Sequence, residues 1–184
     1  PISVILSLLI AILIHSIKPF KKFFQTVFFM PYVTNVIAVG MVFSLLFSQF
    51  GIWNRLFGLS TAWLTDNAAT WESTMFVLCL YVIWSALPYK ILIFLSGLEG
   101  IDRQYYEAAK IDGAGRLKTT WKVTVPLLSP QILYITVTSF IGAFKEYSSV
   151  VGLLGRSYTS DSLNNDMYTA VYWIYDQMKK DSWN

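Results

Sequence analysis

The sequence predicts an all-α integral membrane protein. Three observations carry that prediction: 55% of the 184 residues are hydrophobic, only 14% are charged, and the apolar residues gather in long runs. A soluble domain carries about 25% charged residues, and a run of roughly 20 apolar residues is what a bilayer-crossing helix requires. The single cysteine, Cys79, and the single histidine, His15, exclude a disulfide framework within the chain and leave no Cys/His zinc site. The sequence carries neither a glycine-rich phosphate loop of the P-loop type nor a nucleophile-base-carboxylate set, so any ATP that drives this protein binds to another chain. The net charge of +3 sits largely in two clusters, a pattern of membrane topology and not a nucleic-acid footprint.

Four apolar segments are expected to span the membrane. Residues 1–17 are slightly short for a span. Residues 24–50 contain Pro31 and Gly40, residues 73–97 contain Pro88, and the fourth segment covers 127–150. The two prolines are expected as kinks, tolerated where neighbouring helices satisfy the freed carbonyls. The chain opens on Pro1 at the edge of an apolar run and stops at Asn184 in polar sequence. A membrane domain incomplete at both ends is therefore expected, with a further helix after Asn184.

The connecting segments set the orientation. "KPFKK" (Lys18, Lys21, Lys22) and residues 98–126 (Arg103, Lys110, Arg116, Lys118, Lys122) share one side and hold eight Lys/Arg. Residues 51–72 and 151–184, on the other side, hold four over a greater length: Arg55, Arg156, Lys179 and Lys180. Positive charge in short loops marks the cytoplasmic side, so 98–126 is expected there. Trp53, Trp63 and Trp71 suit an external membrane-water boundary, and the tail, with its aromatic patch Tyr168 to Tyr175, reads as an external loop on the bilayer surface.

Residues 98–126 are the anomaly. Asp102 is a good N-cap for a helix over Arg103 to Ile111, and Gly113 can take the left-handed conformation that ends one. A second helical stretch is expected from about Leu117 toward Val125, before Pro126. Physics leaves two readings open: an amphipathic helix on lipid headgroups, or a knob that docks into a cytosolic partner. The small residues Ala108 and Ala109 suit close approach. The mixed charge, Glu107 beside Lys110 and Asp112 near Arg116, favours a protein groove over an anionic membrane.

The same residues resemble the EAA motif of the membrane subunits of ABC importers. "EAAKIDGAG" is followed by "VP" twelve residues after Gly113, so Glu107, Ala108, Ala109, Asp112, Gly113, Ala114 and Pro126 match, and Val125 stands for the family's leucine. "FMPYV", "FGIWN", "AWLTD" and "LPYKILIFLSGLEGID" extend the resemblance over most of the chain, toward the sugar-transporting branch typified by the larger membrane subunit of the maltose importer. The resemblance implies a type I importer transmembrane bundle in a bacterial or archaeal cell membrane, multi-pass, with 98–126 as a cytoplasmic coupling helix. It further implies a second homologous membrane subunit, an external solute-binding protein, and two ATPase subunits that bind ATP and Mg. The chain itself would carry no cofactor, no catalytic residue and no metal.

By the same resemblance a substrate cavity falls on Ser85, Ala86 and Tyr89 of the third segment and on Ser139, Gly142, Ala143 and Glu146 of the fourth. Each set shares a helical face. An aromatic ring, hydroxyls and a carboxylate suit a sugar's apolar face and hydroxyl groups. Gly142 and Ala143 bring almost no side chain, which implies a wide cavity. The family's glycine-rich stretch after the fourth segment is altered here to "LLGRSYTSD".

Lys90 and Lys145 lie within apolar sequence, where a charge at mid-span costs roughly 2.5–3.5 kcal/mol. Both lysines can snorkel, or they can face a cavity or a partner. They also keep an anionic solute such as glycerol phosphate in view. An ion-coupled secondary transporter would show internal repeats and broken midplane helices, and a membrane enzyme would cluster Asp, His and Glu. The sequence has neither pattern.

Overall fold

The computed structural model describes residues 1–17, 21–58, 61, 63–64, 70–154 and 169–181. Helices build it: α1 (Ile2–Ser16), α2 (Lys21–Val33), α3 (Val36–Leu46), α4 (Ile52–Phe57), α5 (Trp71–Glu99), α6 (Arg103–Ile111) and α7 (Arg116–Thr119). A π-helical turn (Thr120–Thr124) then leads into α8 (Val125–Leu127), α9 (Ser129–Phe144), α10 (Ser148–Leu154) and α11 (Ala170–Asp181). Among the described residues α5 alone is long and apolar enough to cross a membrane as one helix. Phe23–Val33 with Val36–Leu46, and Arg116–Leu127 with Ser129–Phe144, reach that standard only if each bent pair is one span.

Two compact units divide the chain: Pro1–Tyr32 with Ala86–Ser139, and Val33–Ser85 with Phe140–Asn184. The first is centred on Val4, Ala11 and Ile14 of α1, on Leu87, Ile91, Phe94, Leu95 and Leu98 of α5, and on Leu128 and Ile135. The spacings 4-11-14 and 87-91-94-98 are those of single helical faces. Buried Ser7 joins the α1 face by donating its hydroxyl to the Val4 carbonyl (2.9 Å). Lys90 lies in this core at 8% exposure, and its ammonium donates to Ser3 Oγ of α1 at 2.6 Å. Of the open readings for this lysine, a partner within the protein is the one observed.

In the second unit Phe47, Leu64, Val77, Val150, Val151, Leu153, Leu154 and Tyr172 form the core. Helices α3 and α10 meet backbone to backbone: a Cβ on Gly40 would sit 2.7 Å from the Gly152 carbonyl carbon. The loop after α4 is organised by buried Asn54. Its amide donates to the carbonyls of Gln49 (3.0 Å) and Thr61 (2.8 Å), and its oxygen accepts from Trp63 Nε1 at 2.6 Å. The rings of Trp53 and Trp63 pack on Phe47, at 5.1 and 6.2 Å between centroids. These two tryptophans therefore serve the core of this unit, whereas Trp71 is exposed.

Several breaks differ from the sequence expectation. Residues 24–50 are interrupted at Thr34 and Asn35, not at Pro31, which lies inside α2. Asn35 opens α3 as its N-cap, its side chain accepting from the N–H groups of Ile37 (2.9 Å) and Ala38 (3.4 Å). The stretch 127–150 is broken at Lys145–Tyr147, between α9 and α10. Residues 170–181 of the tail form a helix and not a loop, with Tyr147 packed on Tyr172 and Tyr175. Lys18, Arg156 and most of "LLGRSYTSD" lie outside the described residues.

Replacing Gly40 with Leu drives side-chain atoms into the Gly152 backbone and should cost about 1–3 kcal/mol, as overpacking does. Gly142→Ala, whose Cβ would meet nothing within 4 Å, should leave stability unchanged. Thermal melting of the full-length protein in detergent compares the two, and equal melting temperatures would refute the close packing of α3 on α10.

Candidate functional site

The segment after α5 begins with Asp102, whose carboxylate accepts from the Gln104 N–H at 3.1 Å and so starts α6. Tyr106 and Ala109 turn inward. Ala109 is 8% exposed, and Tyr106 Oη lies 3.4 Å from Thr124 Oγ1 on the returning helical stretch of the segment. Glu107, Ala108 and Lys110 face outward. Of the two alanines, then, only Ala108 offers its surface to another molecule.

Gly113, at φ +68°, ends α6. The Gly113 N–H donates to the Lys110 carbonyl (3.0 Å) and the Ala114 N–H to the Ala109 carbonyl (2.9 Å). These are the paired bonds of a Schellman turn, which satisfies the last carbonyls of a helix and turns the chain sharply. A Cβ at Gly113 would touch nothing within 4 Å. The requirement for glycine here is conformational and not steric crowding.

Beyond the turn the chain is helical from Arg116 to Leu127, and continues through Pro126 where the sequence suggested a stop. A proline inside an α-helix collides with the carbonyl four residues earlier. The π turn over Thr120–Thr124 widens the backbone just ahead of it, and the Val125 N–H bonds five residues back to Thr120 O. The hydroxyls of Thr119 and Thr120 donate to Gly115 O (3.1 Å) and Arg116 O (3.0 Å), further tying this stretch. At Leu128, fully buried, the path bends by 65° into α9. Exposed on this polar segment are three large apolar side chains: Ile111 at 87%, Leu117 at 77% and Trp121 at 67%.

The seven cavity residues fall in both units, Ala86, Tyr89 and Ser139 in the first and Ser85, Gly142, Ala143 and Glu146 in the second. Ser85 and Ser139 donate their hydroxyls to carbonyls of their own helices, Val82 and Ile135. Ala86 is half-buried, and Gly142 and Ala143 are exposed. Glu146 Oε1 accepts from the Ser149 N–H at 3.0 Å, so this carboxylate also supports the start of α10. The Tyr89 ring stacks on Tyr32 (centroids 5.8 Å, 18°), and its hydroxyl lies 3.0 Å from that of Tyr134. Sequence reading missed Tyr32 and Tyr134. The only signal was aromatic residues in three apolar segments, and nothing in their spacing says that they converge. Among the described residues no three His, Cys, Asp or Glu side chains come together as metal ligands.

The described residues are mainly helical, with α5 of membrane-crossing length and the capped polar helix α6 after it. This chain belongs to the family of binding-protein-dependent transport system inner membrane components, whose model matches residues 3–175. It is 32% identical to the arabinooligosaccharides transport system permease protein AraP of Bacillus subtilis, over 92% of this chain and 54% of that protein. It is 31% identical to the lactose transport system permease protein LacF of Rhizobium radiobacter, over 82% of this chain and 51% of that protein. The fold matches a chain in the crystal structure of a bacterial ABC transporter involved in the import of the acidic polysaccharide alginate. The TM-score is 0.64 at 19% identity, covering 94% of this chain and 66% of the other. The chain thus spans about half the length of the curated relatives it matches.

Gly113→Val forces a β-branched residue into the left-handed region, at a cost of about 1–2 kcal/mol. The amides at positions 113 and 114 should then exchange with solvent about 5–30-fold faster in the full-length protein, the factor that 1–2 kcal/mol carries. Gly113→Asn, which visits that region more readily, should change them less. Identical exchange in Gly113→Val and wild type would refute the turn.

Proposed function

We propose that this chain is the membrane-spanning permease component of an ATP-driven, binding-protein-dependent importer of sugars or oligosaccharides, multi-pass in a cell membrane. The observation that carries the reading is α6. It is a short polar helix capped by Asp102 and closed by Gly113, with exposed Ile111 at its end and exposed Leu117 and Trp121 beyond the turn. Large apolar side chains exposed in otherwise polar sequence support an interaction surface, and a tryptophan among them suits a protein groove. Two ATPase subunits, which bind ATP and Mg, would hold this surface. A second homologous membrane subunit and an external solute-binding protein complete the assembly. Closure of the ATPases would pull α6, and the bend at Leu128 would pass that movement to α9. The names of the relatives from Bacillus subtilis and Rhizobium radiobacter, for arabinooligosaccharides and lactose, support a carbohydrate cargo.

In the cavity the Tyr89 ring would lie against a sugar's apolar face, and Glu146 would accept from its hydroxyls. Ser85, Ala86, Ser139, Gly142 and Ala143 would shape the space. The bond from the Lys90 ammonium to Ser3 Oγ lends no support to an anionic cargo at this residue.

The test is ATPase activity of the reconstituted full-length complex, with its binding protein, against a panel of sugars. One sugar should stimulate the wild type, and Gly113→Val should assemble but lose the stimulation. A variant that transports normally would remove the coupling role. No response to any sugar, with active and assembled ATPase subunits, would remove carbohydrate as cargo. Tyr89→Ala and Glu146→Ala should each lower the stimulated rate, and normal transport by both would overturn the cavity assignment.

A further inference from the structure

The Tyr89 ring is held at two points. Its face lies against Tyr32 of α2, with centroids 5.8 Å apart and planes 18° from parallel. Its hydroxyl lies 3.0 Å from that of Tyr134 on α9. Tyr32 is itself backed by Phe29, at 5.3 Å between centroids. Three helices, α2, α5 and α9, therefore meet at this one side chain, and all these residues belong to the first unit.

The two constraints differ in kind. Stacking sets the tilt of a ring but tolerates sliding, since centroid separations from about 4.5 to 7 Å are all favourable. A hydrogen bond is directional and weakens steeply as its angle closes. The stack thus fixes the plane of Tyr89, and the bond to Tyr134 fixes where its tip lies. Packing of α9 on α5 does not depend on that bond. Ile135, next to Tyr134, is fully buried in the core with Leu87, Ile91 and Leu128, whereas Tyr134 is half-exposed. What the Tyr134 hydroxyl adds is order in a side chain that a ligand would otherwise have to order at its own cost.

We propose that Tyr134 is a positioning residue for cargo. It acts through Tyr89, holding the ring in the pose that a sugar's apolar face meets. The inference rests on Tyr89 being a cavity residue, and it gives Tyr134 no cargo contact of its own.

The test is the amount of sugar moved per ATP hydrolysed by the reconstituted full-length complex with its binding protein. The probes are lactose and arabinotriose, the kinds of sugar in the relatives' names. A merely structural loss removes working complexes and lowers transport and hydrolysis together, so this ratio holds. A misplaced cargo ring lowers the ratio itself. Tyr134→Phe keeps an aromatic ring and removes the hydroxyl. It should reduce the ratio about fivefold, the factor that ~1 kcal/mol carries and that one hydrogen bond between neutral groups supplies. In a Tyr89→Phe background the bond is already gone, so adding Tyr134→Phe should change nothing further. A wild-type ratio in Tyr134→Phe would overturn the inference. So would a loss that persists in full in the Tyr89→Phe background, because Tyr134 would then act by itself. Tyr89→Ala separates the two ways of failing. A wild-type ratio there removes Tyr89 from the cavity and this inference with it, whereas a lowered ratio beside a normal Tyr134→Phe removes this inference alone. If wild type moves neither probe, both fall together.

Discussion

With no water in a bilayer core, a chain that enters it has to satisfy its own backbone. That constraint sets where this protein can interrupt its helices. Among the described residues three irregular places are closed by groups from their own neighbourhood. Asn35 supplies the cap lost between α2 and α3, and the buried Tyr81 hydroxyl donates to the Val36 carbonyl there. Glu146 meets the Ser149 N–H between α9 and α10. The π turn opens the helix ahead of Pro126 and keeps it bonded through Val125. Proline alone does not break a helix here: Pro31 and Pro88 both lie inside one. The breaks fall instead where a side chain can take over from the ladder.

The same accounting explains two features that local composition makes surprising. Lys90, buried in the unit whose core holds Leu87, Ile91 and Phe94, has the Ser3 hydroxyl 2.6 Å from its ammonium. Charge buried on such terms is weak evidence for stability. Its structural consequence is alignment, because one turn of α1 is held against one position of α5. Asn54 acts similarly in the other unit, where three bonds from one amide gather residues 49, 61 and 63.

Much of this was legible in advance because helices and caps are local. The apolar runs located α1, α5 and α9, and Asp102, Ile111 and Gly113 delimited α6 to the residue. What could not be read depends on distance in space. The meeting of Gly40 with Gly152, and of Tyr89 with Tyr32 and Tyr134, joins residues far apart in sequence and leaves no periodic trace. The break at Asn35 was hidden because Pro31, four residues earlier, looked the stronger signal. The helical tail was hidden because Ala170–Asp181 mixes exposed aromatic and charged residues. Of the candidate site, the geometry of α6 and its turn was readable since it is set by one cap and one glycine. The residues expected to line a cavity are distributed over both units.

The stretch from Asp102 to Leu128 is tied by local bonds at its start, its turn, its neck and its end. At its start the Asp102 cap fixes the direction in which α6 leaves α5. At its turn the two Schellman bonds and a glycine at φ +68° leave little freedom to swing. Tyr106 and Thr124 bring the outgoing and returning helices within 3.4 Å, so the loop between them is closed at its neck. At its end Leu128 is fully buried in the core shared by α1, α5 and α9. Ile111 and Trp121 are thus exposed on a segment whose cap, turn and neck are each hydrogen-bonded and whose end is buried in that core. The polar residues that look misplaced in an oily chain are the ones that supply its cap and its neck: Asp102, Tyr106 and Thr124.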